Sequence, residues 1–266
     1  STQGYSSAAS DVYKRQNLSN AQRAEVLTQA LPYIQKYYGK SYVEAMSMLL
    51  GESMEPVYPQ AKRQEPTEQK PFAPPVPNAN MHRVFAYLLK TRGLDADVVS
   101  YFARRKLLYE DAAHHNAVFI GTDEGGCPRH AHLRSTNSFG KAFRLNVESS
   151  DPRYSFHHTG TDGSLYVFEA PIDLMSYCTL HRGFHSNALA LCCLDDRALS
   201  VFLREHPTVR KVVLCLDHDR PGQEAAERMG RKYAAEGYAV QTLSPPSRKD
   251  WNAYLTFVQQ FRERGR

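Results

Sequence analysis

Residues 212–222 read VVLCLDHDRPG, an apolar run that ends in acid, histidine, acid and then Arg-Pro-Gly. A strand alternates its side chains between faces, so this spacing predicts that Asp217 and Asp219 share one side and His218 the other. Two carboxylates on one side of a strand end repel each other unless a positive charge sits between them. A hard divalent cation, which takes oxygen ligands and keeps several waters, suits that position. A solvated acidic loop after a strand has the same composition, so the neighbouring segments must decide.

Working outward, the chain from Ser164 alternates strands and helices. "LYVFE" (165–169), "NALALCCL" (187–194), "KVVLCLDHD" (211–219) and "AVQTLS" (239–244) read as strands. Pro171 opens a helix after the first, Asp195 or Asp196 caps one after the second, Pro221 to Glu236 forms a third and a last helix follows Asp250. Such succession predicts a four-stranded, mainly parallel sheet flanked by helices with right-handed crossovers. Ligands bind such sheets beyond the carboxyl ends of the strands. Glu169, Asp217 and Asp219 all fall at those ends, which favours a metal over a bare acidic loop.

Upstream, residues 82–111 suggest two short amphipathic helices separated by Gly93, with Asp95 as N-cap. "AVFIGTD", "RHAHLRS" and "AFRLNVE" suit an antiparallel meander, with Gly125-Gly126 and then Asn137 to Gly140 as turns. The fold class expected is therefore α/β, preceded by a small α+β domain. Residues 54–80 are rich in Pro, Gln, Lys and Glu and read as a linker. Residues 17–53 carry helical spacing through Leu27, Leu31 and Ile34, and again through Tyr42, Met46 and Leu49. Residues 1–16 show no apolar period, resemble translated adapter sequence and are read as a non-native or disordered leader. The division expected is thus 1–16, 17–53, 54–80, 81–160 and 161–266.

The 266 residues carry a net charge of +5, a mild basic bias compatible with a nucleic-acid or nucleotide partner. No apolar run is long enough to cross a membrane. None of the five cysteines forms a C-x-x-C pair. Cys178, Cys192, Cys193 and Cys215 read as small core residues in a reducing cytoplasm. Cys127, His130 and His132 lack a fourth ligand at zinc spacing. From Arg129 to Arg144, the cations Arg129, Arg134, Lys141 and Arg144 and the histidines His130 and His132 occur without an intervening acid. Phe139, Phe143, Arg153, Tyr154 and Phe156 interleave or follow, offering cations for phosphates and rings for base stacking. A solvated basic face with core aromatics is the plainer alternative.

"FEAPID", "LDHDRPG" and "KDWNAYL" together resemble the TOPRIM domain, shared by bacterial primases, type IA and type II topoisomerases and some nucleases. The match spans Ser164 to Leu255, and the chain is too short for a full topoisomerase. "YLLKTRGLDADVVSYF", "HLRS" and "DPRYSF" extend the resemblance upstream, to primase-like proteins of mobile elements that join a domain of unknown function to TOPRIM. "YIQKYYGKSYVEAMSMLLG" is similar to the helix that ends a primase zinc-ribbon domain, without the ribbon's cysteines. The resemblance implies a Mg²⁺- or Mn²⁺-dependent primase-type nucleotidyltransferase in mobile-element or plasmid replication. Its partners would be single-stranded DNA, nucleoside triphosphates and a replicative helicase or relaxase. It implies that Glu169 is the general acid/base or a metal ligand and that Asp217 and Asp219 bind metal. Asp173, one helical turn past Glu169, and Asp250 would support them, with helix capping as the alternative for both. Asn252 and Ala170 depart from the family's usual Asp and Gly. Arg134, Lys141, Arg144, Arg153, Tyr154 and Lys249 would contact nucleic acid or nucleotide. A TOPRIM nuclease using the same acids, or a non-catalytic DNA-binding module, are the competing readings.

Overall fold

A computed structural model describes residues 70–137 and 143–264, and Gln69–Arg266 form one compact unit. The expectations for residues 1–16, 17–53 and the linker up to 69 lie outside the described residues, as do Phe139, Lys141 and most of the second meander turn.

Helix α1 (His82–Ala86) runs into a π-helical turn, Tyr87–Thr91, whose last bond is Arg92 N–H donating to Tyr87 O at 3.1 Å. Gly93 then takes the left-handed conformation (φ 67°) that breaks the helix. Asp95 caps α2 (Ala96–Arg104) as expected, its carboxylate accepting from Asp97 N at 2.8 Å. The meander is a four-stranded antiparallel sheet in the order β1 (Leu108–Glu110), β2 (Ala117–Thr122), β3 (Pro128–Arg134), β4 (Arg144–Asn146).

The second sheet has five strands: β5 (His157–His158), β6 (Ser164–Phe168), β7 (Asn187–Ala190), β8 (Lys211–Leu214) and β9 (Ala239–Thr242). The spatial order is β5-β7-β6-β8-β9. The four expected strands are parallel, and β5 adds a short antiparallel edge against β7. Helices α3 (Pro171–Leu180), α4 (Arg197–Glu205), α5 (Arg220–Ala235) and α6 (Trp251–Arg264) complete the unit.

Strand alternation divides the core. Leu165, Val167, Leu189, Val212 and Leu214 bury one face of the sheet with Leu199, Phe202 and Met229 of α4 and α5. Phe168, Ala188, Ala190, Val213 and Cys215 bury the other with α3 and Trp251. That second cluster also takes in Val84, Leu88, Val99, Phe102, Phe119 and Phe156, so residues on both sides of position 160 share one core. Each fully buried Leu or Phe contributes about 1.5–3 kcal/mol, so this shared cluster binds the segments together. Phe156, expected as a stacking ring for bases, is wholly buried in it.

Candidate active-site cleft

The carboxyl ends of β6 and β8 meet the start of α6, and the acids gather there. The ladder of β8 with β9 ends at Leu214, and Cys215 N–H makes a last bond to Val167 O at 2.7 Å. Asp217 and Asp219 therefore stand beyond the strand, and loop geometry rather than pleat alternation brings them together. Asp219 is the N-cap of α5, accepting from Gly222 N at 2.9 Å. Gly222 is required by close approach: a Cβ there would lie 2.2 Å from Asp217 O.

The KDWN segment is tied to this loop twice. Trp251 Nε1 donates to Cys215 O at 3.1 Å, and His218 N donates to Lys249 O at 2.6 Å. Those bonds set the Lys249 ammonium 3.0 Å from Asp219 Oδ2 and 3.8 Å from Asp217 Oδ2. A cation thus sits beside both carboxylates, as their repulsion demands, and it belongs to the chain. Glu169, just past β6, faces Arg144 Nη1 at 3.7 Å.

Asp173 and Asp250 are held differently. Asp173 is buried and its Oδ1 accepts from Asn252 N at 3.0 Å; Asp250 Oδ1 accepts from Ala253 N at 2.6 Å. Both carboxylates serve the positive N-terminus of α6, so capping is the role visible for each. Asn252 Nδ2 donates to Arg92 O (2.8 Å) and Ser176 Oγ (3.0 Å), and its Oδ1 accepts from Arg92 at 3.3 Å. The residue that departs from the family pattern thereby joins α6 to α3 and to the end of the π turn.

The electrostatics follow. Burial, with Glu169 and Asp250 nearby, pushes the Asp217 carboxyl up to about 7. Burial also raises Glu169, against the lowering pull of Arg144. Asp173 lies well above the carboxylate range, because it is buried and then because Asp250 and Asp217 are near. Asp219 moves the other way, lowered first by the Gly222 N–H and then by Lys249.

A cleft of about 240 Å³ opens between the acids and the meander. Asp217, Asp250 and Lys249 line one side, and His132, Arg134 and Arg144 the other. Arg92 also lines it, with its Nε 2.8 Å from Tyr87 Oη, which Arg134 shares at 3.2 Å. Arg92 was no candidate from the basic run, because it lies 37 residues before Arg129 in the chain; its place before the helix-breaking Gly93 was the available signal.

The expected nucleic-acid residues divide. Arg134, Arg144 and Lys249 reach the cleft, whereas Arg153 and Tyr154 line a separate cavity of about 360 Å³ against α4. Arg153 is there paired with Asp151 at 2.7 Å. Arg129 is likewise paired, with Asp123 at 2.7 Å, and His130 is buried.

Among the described residues no three His, Cys, Asp or Glu side chains converge as they would on a bound ion. The acids are instead engaged by Lys249, Arg144 and the α6 backbone. Their donor chemistry nonetheless fits a hard divalent cation: Glu169, Asp217 and Asp219 offer only carboxylate oxygens, and a cationic group already occupies the space beside two of them.

Two families match the chain: "Protein of unknown function (DUF3991)" over residues 86–162 and "Toprim-like" over residues 166–255. An uncharacterized MG010 homolog of Mycoplasma pneumoniae is 32% identical over 95 residues, covering 35% of this chain and 42% of that protein. An uncharacterized protein of Bacillus anthracis, pXO2-78, is 25% identical over 210 residues, covering 69% of this chain and 60% of its own length. The chain thus spans less than two thirds of either relative. The primase fragment of the bacteriophage T7 primase-helicase protein superposes with a TM-score of 0.50 at 16% identity, covering 66% of this chain and 71% of that one. The acid pattern, the parallel sheet and these matches agree: the chain carries a DUF3991 domain followed by a Toprim-like domain, and its fold is like that of the primase fragment.

Proposed function

We propose that the cleft carries out divalent-metal-dependent nucleotidyl transfer of the primase type, joining nucleoside triphosphates on a single-stranded DNA template. The observation that carries this reading is that Asp217 and Asp250 line one cleft together with Arg92, Arg134 and Arg144. An acid-lined wall suits Mg²⁺ or Mn²⁺, and a guanidinium-lined wall suits phosphates. Asp217 and Asp219 would hold the metal, with Glu169 as a further ligand or as base. A bound metal would supply positive charge to the phosphates.

The chain's own groups would do the remainder. Glu169, its proton affinity raised by burial, accepts the proton of an attacking 3′-hydroxyl. That oxygen bonds to the α-phosphorus, and the bond from the α-phosphorus to the bridging oxygen breaks as pyrophosphate leaves. Arg134 and Arg144 neutralise the charge that develops on the phosphates, and Lys249, released from the acids, can join them. Asp173 and Asn252 position α6 and with it the acid rim.

The test is to incubate the chain with single-stranded DNA, labelled nucleoside triphosphates and Mg²⁺ and to size the products. Labelled oligonucleotides that vanish in the Asp217→Asn, Asp219→Asn double variant support the proposal. Shortened DNA with no incorporation assigns the same acids to a nuclease. No product of either kind in wild type, with DNA binding intact, would leave a binding module.

A further inference from the structure

We infer that His132 is the hydrogen-bond acceptor for a sugar hydroxyl of the nucleotide held in the cleft, and so a specificity-determining residue. The inference rests on reading the cleft as a nucleotide site.

Strands β3 and β4 pair so that Arg134 lies opposite Arg144, and His132 opposite Asn146. The first pair is cationic. The second lies two strand residues away, about 7 Å along the sheet. That spacing is comparable to the one between a nucleotide's 5′-phosphate and its sugar hydroxyls. Arg134, Arg144 and His132 all line the cleft, so the cationic pair and the imidazole face the same ligand space.

The chemistry of the two pairs differs. Arg134 and Arg144 offer only donors, which suit phosphate oxygens. The Nδ1 of His132 lies 2.7 Å from Asn146 Oδ1. A carbonyl oxygen only accepts, so Nδ1 carries the proton and donates. In the neutral ring Nε2 is then left as an acceptor. Burial keeps the ring neutral, with the Arg144 and Arg134 charges adding to it against the Asn146 bond. Among the described residues no side chain or backbone N–H reaches Nε2 with a hydrogen bond.

An uncharged acceptor beside two guanidinium groups is a poor phosphate ligand, because its lone pair faces oxygen lone pairs. It needs an O–H or N–H from the ligand. His132 and Arg144 also line a neighbouring cavity of about 250 Å³ that contains Glu169. A sugar held at His132 would therefore lie between the Asp217 cleft and the Glu169 cavity, with its phosphates directed toward Arg134 and Arg144. Such an acceptor would favour a nucleotide that carries the hydroxyl over one that lacks it.

The experiment is competition binding on the full chain with Mg²⁺. ATP, 2′-deoxy-ATP and 3′-deoxy-ATP displace a base-labelled fluorescent ATP from wild type, His132→Phe and His132→Asn. Phe keeps a ring without an acceptor; Asn is smaller and withdraws the acceptor from the Nε2 position. One hydrogen bond of ordinary strength corresponds to a preference of roughly twofold to tenfold. Wild type is expected to bind ATP more tightly than one deoxy analogue by that factor. Both variants should bring the ratio to about one while affinity for that analogue stays the same. Equal binding of all three nucleotides by wild type overturns the inference, as does a preference that survives in either folded variant, with folding checked by thermal melting. Failure of wild type to bind the fluorescent nucleotide at all removes the nucleotide reading of the cleft itself, a result distinct from binding without preference.

Discussion

Asp173 and Asp250 on one wall of the cleft, and Asp219 beside it, each accept a hydrogen bond from a backbone N–H, of Asn252, Ala253 and Gly222 respectively. On the other wall, Arg144 projects from the edge strand β4 with its side chain 59% exposed. These three acids are thus fixed by helix termini before any ligand arrives, whereas Arg144 keeps side-chain freedom, and Arg92 and Arg134 are steadied by sharing Tyr87 Oη. A chemical centre benefits from the first arrangement, since sub-ångström placement governs rate. A phosphate-tracking surface tolerates the second, since its attraction is long-ranged and weakly directional.

The contrast can be broken most sharply on the rigid side. Gly222→Ala places a methyl group where Asp217 O now lies 2.2 Å away, so the acid loop must shift. Nucleotidyl transfer should fall by roughly 10²-fold, the scale of a displaced catalytic group. Steady-state incorporation assays check this, with circular dichroism to show that the chain folds. Glu169→Gln should fold, bind DNA and lose transfer by a similar factor of roughly 10², the scale of a lost general base.

Lys249 lies between the two regimes, its side chain 60% exposed yet close to two acids. Lys249→Met removes the cation that competes with a metal, so the full chain should bind Mn²⁺ several-fold more tightly in isothermal titration, even as turnover drops. Looser binding would show instead that Lys249 organises the acids for the ion.

Softer still is the basic wall. Arg134→Ala with Arg144→Ala should weaken single-stranded DNA binding and flatten its dependence on salt by about 0.7 in log–log slope per lost phosphate contact. Fluorescence anisotropy across a salt series measures both, and wild-type values would reduce these arginines to a solvated face.

The smallest effect is on stability. Asp217 titrates near 7 in the folded chain against an ordinary value of 3.8. Its protonated form favours the fold, so its contribution is fully present below about pH 4 and is lost as pH rises through 7. The melting temperature of metal-free wild type relative to Asp217→Asn should therefore fall by a few degrees across that window, and Mg²⁺ should offset the loss at neutral pH.

The acid wall was largely legible in the sequence because strand ends and helix caps leave short-range signals. "LYVFE" followed by Pro171, and Asp-x-Asp followed by Pro221-Gly222, locate the carboxylates to within a residue or two. What spacing did not reveal was why Asp217 and Asp219 converge, since the strand stops before them and the loop does the turning. The basic wall was less legible. A run of cations does not say which face each will take, so Arg129 and Arg153 read like Arg134 although each is committed to a neighbouring Asp. Strands β1 and β5, of three and two residues, are too short to show a period. Arg92 enters the cleft only through tertiary contacts, the hydrogen bonds of Arg92 with Asn252 and of Gly93 with Gln259 in α6.

The central claim is that the rim acids are built to hold a divalent cation in place of the chain's own lysine. Isothermal titration of Mn²⁺ into the full chain and into the Asp217→Asn, Asp219→Asn double variant tests it most directly. Saturable binding is expected in wild type, and the double variant should lose it while its metal-free fold stays intact. Equal binding by both proteins, or none by wild type, would contradict it.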